Sequence, residues 1–178
     1  MSRTEVAVGY IEKPEVVDVR EALLVERLKA NDAAAHDELY LIYRDPVLRI
    51  AYRMLGNSCE ASDIQEKIFL RAFRDIRNFR SNSTLRIWVF RIALLEIRNR
   101  LHWWKRKYRS QDNHDVIQHG LRRLSRQLRM VVVLRDVEDC SYAEISEMLG
   151  ISVKSVNSSL AQARDELRTM LQFHLTEK

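Results

Sequence analysis

Residues Asn78 to Arg109 read NFRSNSTLRIWVFRIALLEIRNRLHWWKRKYR, a short polar loop, Arg80-Ser-Asn-Ser83, that opens into a long helical pattern. Ser83 or Thr84 can cap that helix by offering a side-chain oxygen to an orphan amide of the first turn. Leu85, Trp88, Val89, Ile92 and Ala93 recur at helical spacing, so one face of the helix needs a core. Arg91, Arg98, Lys105 and Arg109 follow at spacings of seven, seven and four, which keeps them within roughly 40° of one another on a 3.6-residue helix. No acid occurs between Glu96 and Asp112, while Arg98, Arg100, Lys105, Arg106, Lys107 and Arg109 interleave with Trp103, Trp104 and Tyr108. Cations attract phosphates and aromatic faces stack unpaired bases, so the run suits a single strand of nucleic acid. A solvated helix end with tryptophans over the core has the same composition, and the rest of the chain must decide between the two.

Working outward, 178 residues suit one or two small domains, and 46% hydrophobic residues suffice for a core. Four Gly and two Pro favour helix over sheet, which places the chain in the all-α class. A net charge of +5 points to a polyanionic partner. Cys59 and Cys140 lie far apart with no CxxC partner, so neither a disulfide framework nor a zinc site is expected, and a reducing cytoplasm fits. The longest uninterrupted apolar stretch, Met130 to Leu134, is too short to cross a bilayer, so no membrane insertion is expected. The sequence shows no HExxH, GxSxG, P-loop or GxGxxG pattern, hence no enzyme, no cofactor, no metal and no catalytic residue is expected.

Upstream of the loop, residues 1–17 have no sustained period and read as a flexible lead-in. A helix begins near Asp18, Asn31-Asp32 breaks it and caps a second, and Asp45-Pro46 is expected to break or kink that second helix. Gly56-Asn57 stops it, and Ser58 is the expected cap of the next. There Ala61, Ile64, Ile68, Ala72 and Ile76 make a buried stripe beside Phe69 and Phe73, and Asp63, Lys67 and Arg71 point outward. Downstream, Gln111, Asp112 and Asn113 mark a boundary, and a second helical array begins at Val116. Ser141-Tyr-Ala-Glu144 is a capping box, Gly150 permits a turn, and Ser152 caps a helix carrying Val153, Val156, Leu160, Ala163 and Leu167. Helix, glycine turn, helix is a helix-turn-helix signature, whose second helix enters a major groove. Lys154, Ser155, Asn157, Ser158, Gln162 and Arg164 can hydrogen-bond bases or phosphates from it. Arg122, Arg123, Arg126 and Arg129 suit either backbone contacts or a plain charged surface.

Asp63-Ile64, Phe69-Leu-Arg-Ala-Phe73, Phe79-Arg80, Ser83-Thr-Leu-Arg86 and Trp88-Val-Phe-Arg-Ile-Ala93 resemble, in order and spacing, region 2 of the extracytoplasmic-function (ECF) sigma factors of bacteria. Leu134-Arg-Asp-Val-Glu138, Ser141-Tyr-Ala-Glu-Ile145, Leu149-Gly-Ile-Ser-Val153 and Ala163-Arg164 resemble their region 4. The resemblance spans roughly residues 20–173 and implies two small helical domains: 18–109, a region 2-like bundle, and 115–178, a region 4-like helix-turn-helix domain, with 110–114 between them. It implies a sigma factor that binds core RNA polymerase, recognises promoter DNA as duplex and melted strand, and promotes opening, in the bacterial cytoplasm at the nucleoid. An anti-sigma factor is the further partner implied. Polymerase docking would fall to Asp63, Glu66, Lys67 and Arg71. The minus-10 element and its single strand would be held by Phe79, Arg80, Asn82, Ser83, Trp88, Arg91, Arg98, Trp103, Lys105 and Arg109. An extruded base needs a polar pocket with stacking walls, which this loop can supply; Trp88, on the apolar stripe, fits the core as well. The minus-35 element would meet Lys154, Ser155, Asn157, Ser158, Gln162 and Arg164.

The chain departs from the family pattern in places. Glu66-Lys67 stands where Gln-Glu is common, Leu95 where many members carry Asn, and Lys154-Ser-Val-Asn-Ser-Ser159 lacks the later cations of the usual recognition helix. The linker, 110–114, is also short. These departures keep a second reading open, a sigma-like protein that binds polymerase or an anti-sigma factor without initiating. A third is an ordinary helix-turn-helix duplex binder.

Overall fold

The computed structural model describes residues 19–104 and 116–176, with side chains for 19–101 and 116–172. The expected lead-in, the 110–114 linker, Lys105, Arg109 and the Trp103 side chain lie outside the described residues. Within them the chain is helical, with no strand.

The helix α1 (Val19–Lys29) ends at Asn31, which sits in the left-handed region at φ 63°. Asp32 caps α2 (Ala33–Leu55), accepting the Ala34 amide at 2.9 Å. Arg27 braces this corner with one nitrogen on Asp32 and another on Glu38, each at 2.8 Å, and holds the Asp32 carboxyl below the usual carboxylate range. Pro46 does not break α2, contrary to expectation. Leu39, Tyr43, Val47, Ile50 and Ala51, on both sides of it, are buried, and that packing outweighs one lost amide bond. Gln65 of the next helix also donates to the Arg44 carbonyl in the proline turn.

Gly56 ends α2 at φ 73°. The next cap is Asn57 rather than Ser58; its side chain accepts from Glu60 at 3.0 Å. The helix α3 (Ser58–Asp75) buries Ala61, Ile64, Ile68, Phe69 and Ala72, the stripe read from the sequence, and a 3-10 turn at Ile76–Asn78 leads into the polar loop. Thr84 caps α4 (Leu85–Trp104) through its hydroxyl, 3.3 Å from the Ile87 amide. Glu21 of α1 lends a second cap, accepting the Leu85 amide at 2.8 Å.

The second half comprises α5 (Val116–Arg123), α6 (Arg126–Val132), a π-helical turn (Val133–Val137), α7 (Tyr142–Leu149) and α8 (Val153–Thr176). The capping box at Ser141 and Glu144 is formed in both directions, at 3.1 and 2.7 Å. Gly150 turns the chain at φ 66°, and Ser152 accepts the Ser155 amide at 3.1 Å to start α8.

The two halves share one core. Beyond the predicted Leu85, Val89, Ile92 and Ala93, α4 also buries Ile87, Phe90, Leu94 and Ile97, because α7 lies against it and the π turn packs on α2. A helix apolar on one face only would not need this; α4 is covered from both sides. Arg122 and Arg129, read from sequence as backbone or surface cations, instead reach into the first half. Arg122 donates to the Gly56 carbonyl, and Arg129 donates to the Met54 carbonyl at 2.8 Å and to that of Arg122 at 2.8 Å. They neutralise the C-terminal end of α2, where carbonyls lack helix partners. Burial, with Arg122 and Arg126 nearby, pushes the Arg129 guanidinium down to about 10.

Candidate nucleic-acid interface

The loop between α3 and α4 presents Arg80 and Asn82 to solvent, with Ser83 half-buried. Phe79, by contrast, is buried and meets the half-buried Trp88 edge-on, ring centres 5.5 Å apart. This pair floors the loop: the core reading of Trp88 describes one side of its ring. Its other surroundings form an open cleft of about 400 Å³, lined by Arg71, Asp75, Asn78, Trp88, Arg91, Ile92 and Leu95. The cleft joins an aromatic wall to an amide, a carboxylate and two guanidiniums. Such a set can stack a planar base and hydrogen-bond its edge. Leu95, at the position where many ECF members carry Asn, supplies apolar wall there.

The cations differ in availability. Arg98 is exposed. Arg91 is not free along α4: it donates to the Glu147 backbone carbonyl at 2.8 Å and lies 3.2 Å from that residue's carboxylate. Arg100 is tied to Glu60 at 2.5 Å. The acid-free stretch is therefore neutralised in part by acids far away in sequence, which its composition could not reveal.

On α3, Asp63, Glu66 and Lys67 are exposed together. Arg71, grouped with them from sequence, turns away and pairs with Glu96 and with Asp75 at 3.3 Å; Glu96 is the main cause of its raised pKa. Exposed apolar side chains escaped the charge-based reading, among them Tyr40 and Leu41 on α2 and Leu70 on α3, the last two at least 60% exposed. Tyr40 packs edge-on against Phe69 with centroids 4.9 Å apart, which sets the two helices side by side at this level.

In the helix-turn-helix, Lys154, Asn157 and Ser158 are exposed on the first turns of α8, and Ser155 is half-buried beside its cap. The Ser158 hydroxyl is turned back on the Ser155 carbonyl at 3.1 Å. Gln162 donates to Glu166 at 2.9 Å. Arg164 is held by Asp136 of the π turn at 2.5 and 3.2 Å, and its pKa is raised mainly by that carboxylate. This leaves Lys154 and Asn157 as the prominent outward groups at the start of the helix.

The remaining chemistry is structural. Cys140 is buried, its thiol pushed up to about 11 mainly by that burial, and Cys59 is exposed. Among the described residues no group of three or more His, Cys, Asp or Glu could hold a metal ion, and no helix is long and apolar enough to cross a membrane.

Known sequences match this arrangement in the same order. The sequence pattern of sigma-70 region 2 matches residues 39–107 and that of sigma-70 region 4 matches 114–167. The ECF RNA polymerase sigma factor SigW of Bacillus subtilis is 28% identical over 83% of this chain and 94% of its own length. The ECF RNA polymerase sigma factor SigE of Mycolicibacterium smegmatis is 31% identical over 79% of this chain and 63% of its own. Among solved structures, CnrH, determined with the cytosolic domain of CnrY, superposes with a TM-score of 0.71 at 23% identity, covering 85% of this chain and 97% of CnrH. The Bartonella quintana sigma factor RpoE, determined with the anti-sigma factor NepR, superposes with a TM-score of 0.61 at 19% identity, covering 86% of this chain and 95% of that one. The superpositions establish the fold; the two regions, in order, and the likeness to SigW over 94% of its length establish the lineage, and the chain belongs to the ECF branch of the sigma-70 family.

Proposed function

We propose that this chain binds core RNA polymerase, directs it to a two-part promoter and helps separate the strands. The observation that carries the reading is the conjunction, on one chain, of an exposed polar loop at the head of a basic helix with a helix-turn-helix whose second helix begins exposed. The loop and the adjoining Trp88 cleft receive an unstacked base, and Arg98 with the basic end of α4 holds the strand. Lys154 and Asn157 meet the upstream duplex. Asp63, Glu66 and Lys67, with Leu41 and Leu70 nearby, are the polymerase-docking surface. An anti-sigma factor, as NepR is for RpoE, is the regulator this reading implies. No covalent chemistry is involved: binding energy offsets the unstacking cost of about a few kcal/mol per base.

One observation favours the alternative of a sigma-like binder that does not initiate. Arg164 is engaged internally by Asp136, so the outward face at the start of α8 is poor in cations. Replacing Asn82 and Ser83 together by Ala separates the assignments. The expected outcome is impaired strand opening with retention on polymerase unchanged in a pull-down. Equal loss of both would make the loop a structural element.

A further inference from the structure

The contact between the halves uses charge in a regular way. Glu138, Glu144 and Glu147 follow one another along the π-turn exit and α7, and each meets an arginine of the first half. Glu138, 5% exposed, receives Arg49 through both oxygens at 2.8 and 2.9 Å. Glu144 lies 3.6 Å from Arg86, which also donates to the Glu138 carbonyl. Glu147 lies 3.2 Å from Arg91. Arg86 and Arg91 both belong to α4, immediately after the polar loop. Further along, Arg91 and Arg98 rim a groove of about 280 Å³ that Met130, Met148, Leu149 and Ile151 close from the second half.

A carboxylate placed 3.2–3.6 Å from a guanidinium occupies the place of a phosphate oxygen, because a carboxylate and a phosphodiester each offer a pair of anionic oxygens to the same fork of donors. A phosphate strand laid along the start of α4 would need the same two arginines. We propose that α7 is an intramolecular stand-in for the strand. Its acidic face closes the free chain by satisfying Arg86 and Arg91, and a single strand of DNA competes with it and so releases the helix-turn-helix half. The proposal rests on the reading of α4 as a strand-binding helix. Because α7 and α8 are joined by the tight Gly150 turn, displacement of α7 carries α8 with it, which couples occupation of α4 to freedom of the second half.

The ionic part of the closure is weak and adjustable. The Arg91–Glu147 pair is about two-fifths exposed on each side, 41% and 39%, and the Arg86–Glu144 pair is 36% and 26% exposed, so both are screened by salt. A polyanion gains by releasing its counterions when it takes these cations over.

The test uses the full chain with Glu144→Gln and Glu147→Gln together. Glutamine at position 144 keeps the capping box, which accepts Glu or Gln, so α7 still starts correctly. A charge-matched control carries Glu26→Gln and Asp165→Asn, exposed acids on α1 and α8 that pair locally with Lys29 and Arg168. Binding to a short fluorescein-labelled single-stranded oligonucleotide of mixed sequence is read by anisotropy, and the radius of gyration by small-angle X-ray scattering. The interface variant is expected to bind about three- to tenfold tighter than the control and to expand, and the wild type to expand on saturation with the oligonucleotide. Affinity equal to the control, or a complex as compact as the free chain, overturns the competition. If no protein binds the strand while the interface variant still expands, the fault lies in the reading of α4 itself, and the competition falls with it.

Discussion

Gly56 shows how a single residue joins the two halves. Its φ of 73° is unfavourable for a side chain, and a Cβ there would overlap the guanidinium of Arg122, which donates to the Gly56 carbonyl. Gly150 has a similar φ of 66° but open space around it. Replacing each by Ala therefore separates backbone strain from lost contact. Gly150→Ala should cost about 1–2 kcal/mol for the left-handed conformation alone. Gly56→Ala should cost about 2–4 kcal/mol, since a buried donor also loses its acceptor. Denaturant unfolding of both variants measures the difference; equal losses would mean that Arg122 can move aside without consequence. Glu138 is the other residue on which both halves depend. It is read from sequence as one more acid in a family motif, and its burial against Arg49 depends on a contact 89 residues away.

Local signals were legible where the physics is local. The stripe of α3, the Asp32 cap, the Ser141 capping box and the turns at Gly56 and Gly150 each depend on residues within a turn or two, and each stands in the structure. Pro46 stands inside α2 rather than breaking it, because its penalty is local while the packing that offsets it is not. The Glu21 cap on α4, Arg122 and Arg129 on α2, and Glu147 on Arg91 are all tertiary, so no period in the sequence announces them. The charge stripe read from the sequence makes a quantitative expectation. Replacing Arg98, Lys105 and Arg109 by Ala should weaken single-strand binding and reduce the slope of log affinity against log salt by about 2, each phosphate contact contributing about 0.7. Titrations at several salt concentrations give the slope, and an unchanged value would remove these cations from the phosphate contacts.

For the whole molecule, the all-α class and the order of two helical arrays followed from composition and motif order, whereas their union in one core did not. The sequence shows two self-contained amphipathic sets, and either could have stood alone. What joins them is the excess burial of α4 together with arginines and glutamates that each array reads as surface. The exposure of the candidate residues was legible in the same uneven way. The polar loop, Arg98 and Lys154 are exposed as a binding surface requires, while Phe79, Arg71 and Arg164 are engaged within the fold.

The central claim is that this chain opens promoter DNA with polymerase. Its most direct measurement is reconstitution of the full chain with purified core RNA polymerase on genomic promoter fragments, with unpaired thymines detected by permanganate. The expected result is retention of the protein on polymerase and a reactive, opened segment that is absent when either component is omitted. Retention on polymerase with no opened segment on any fragment would contradict it and leave a sigma-like binder in its place.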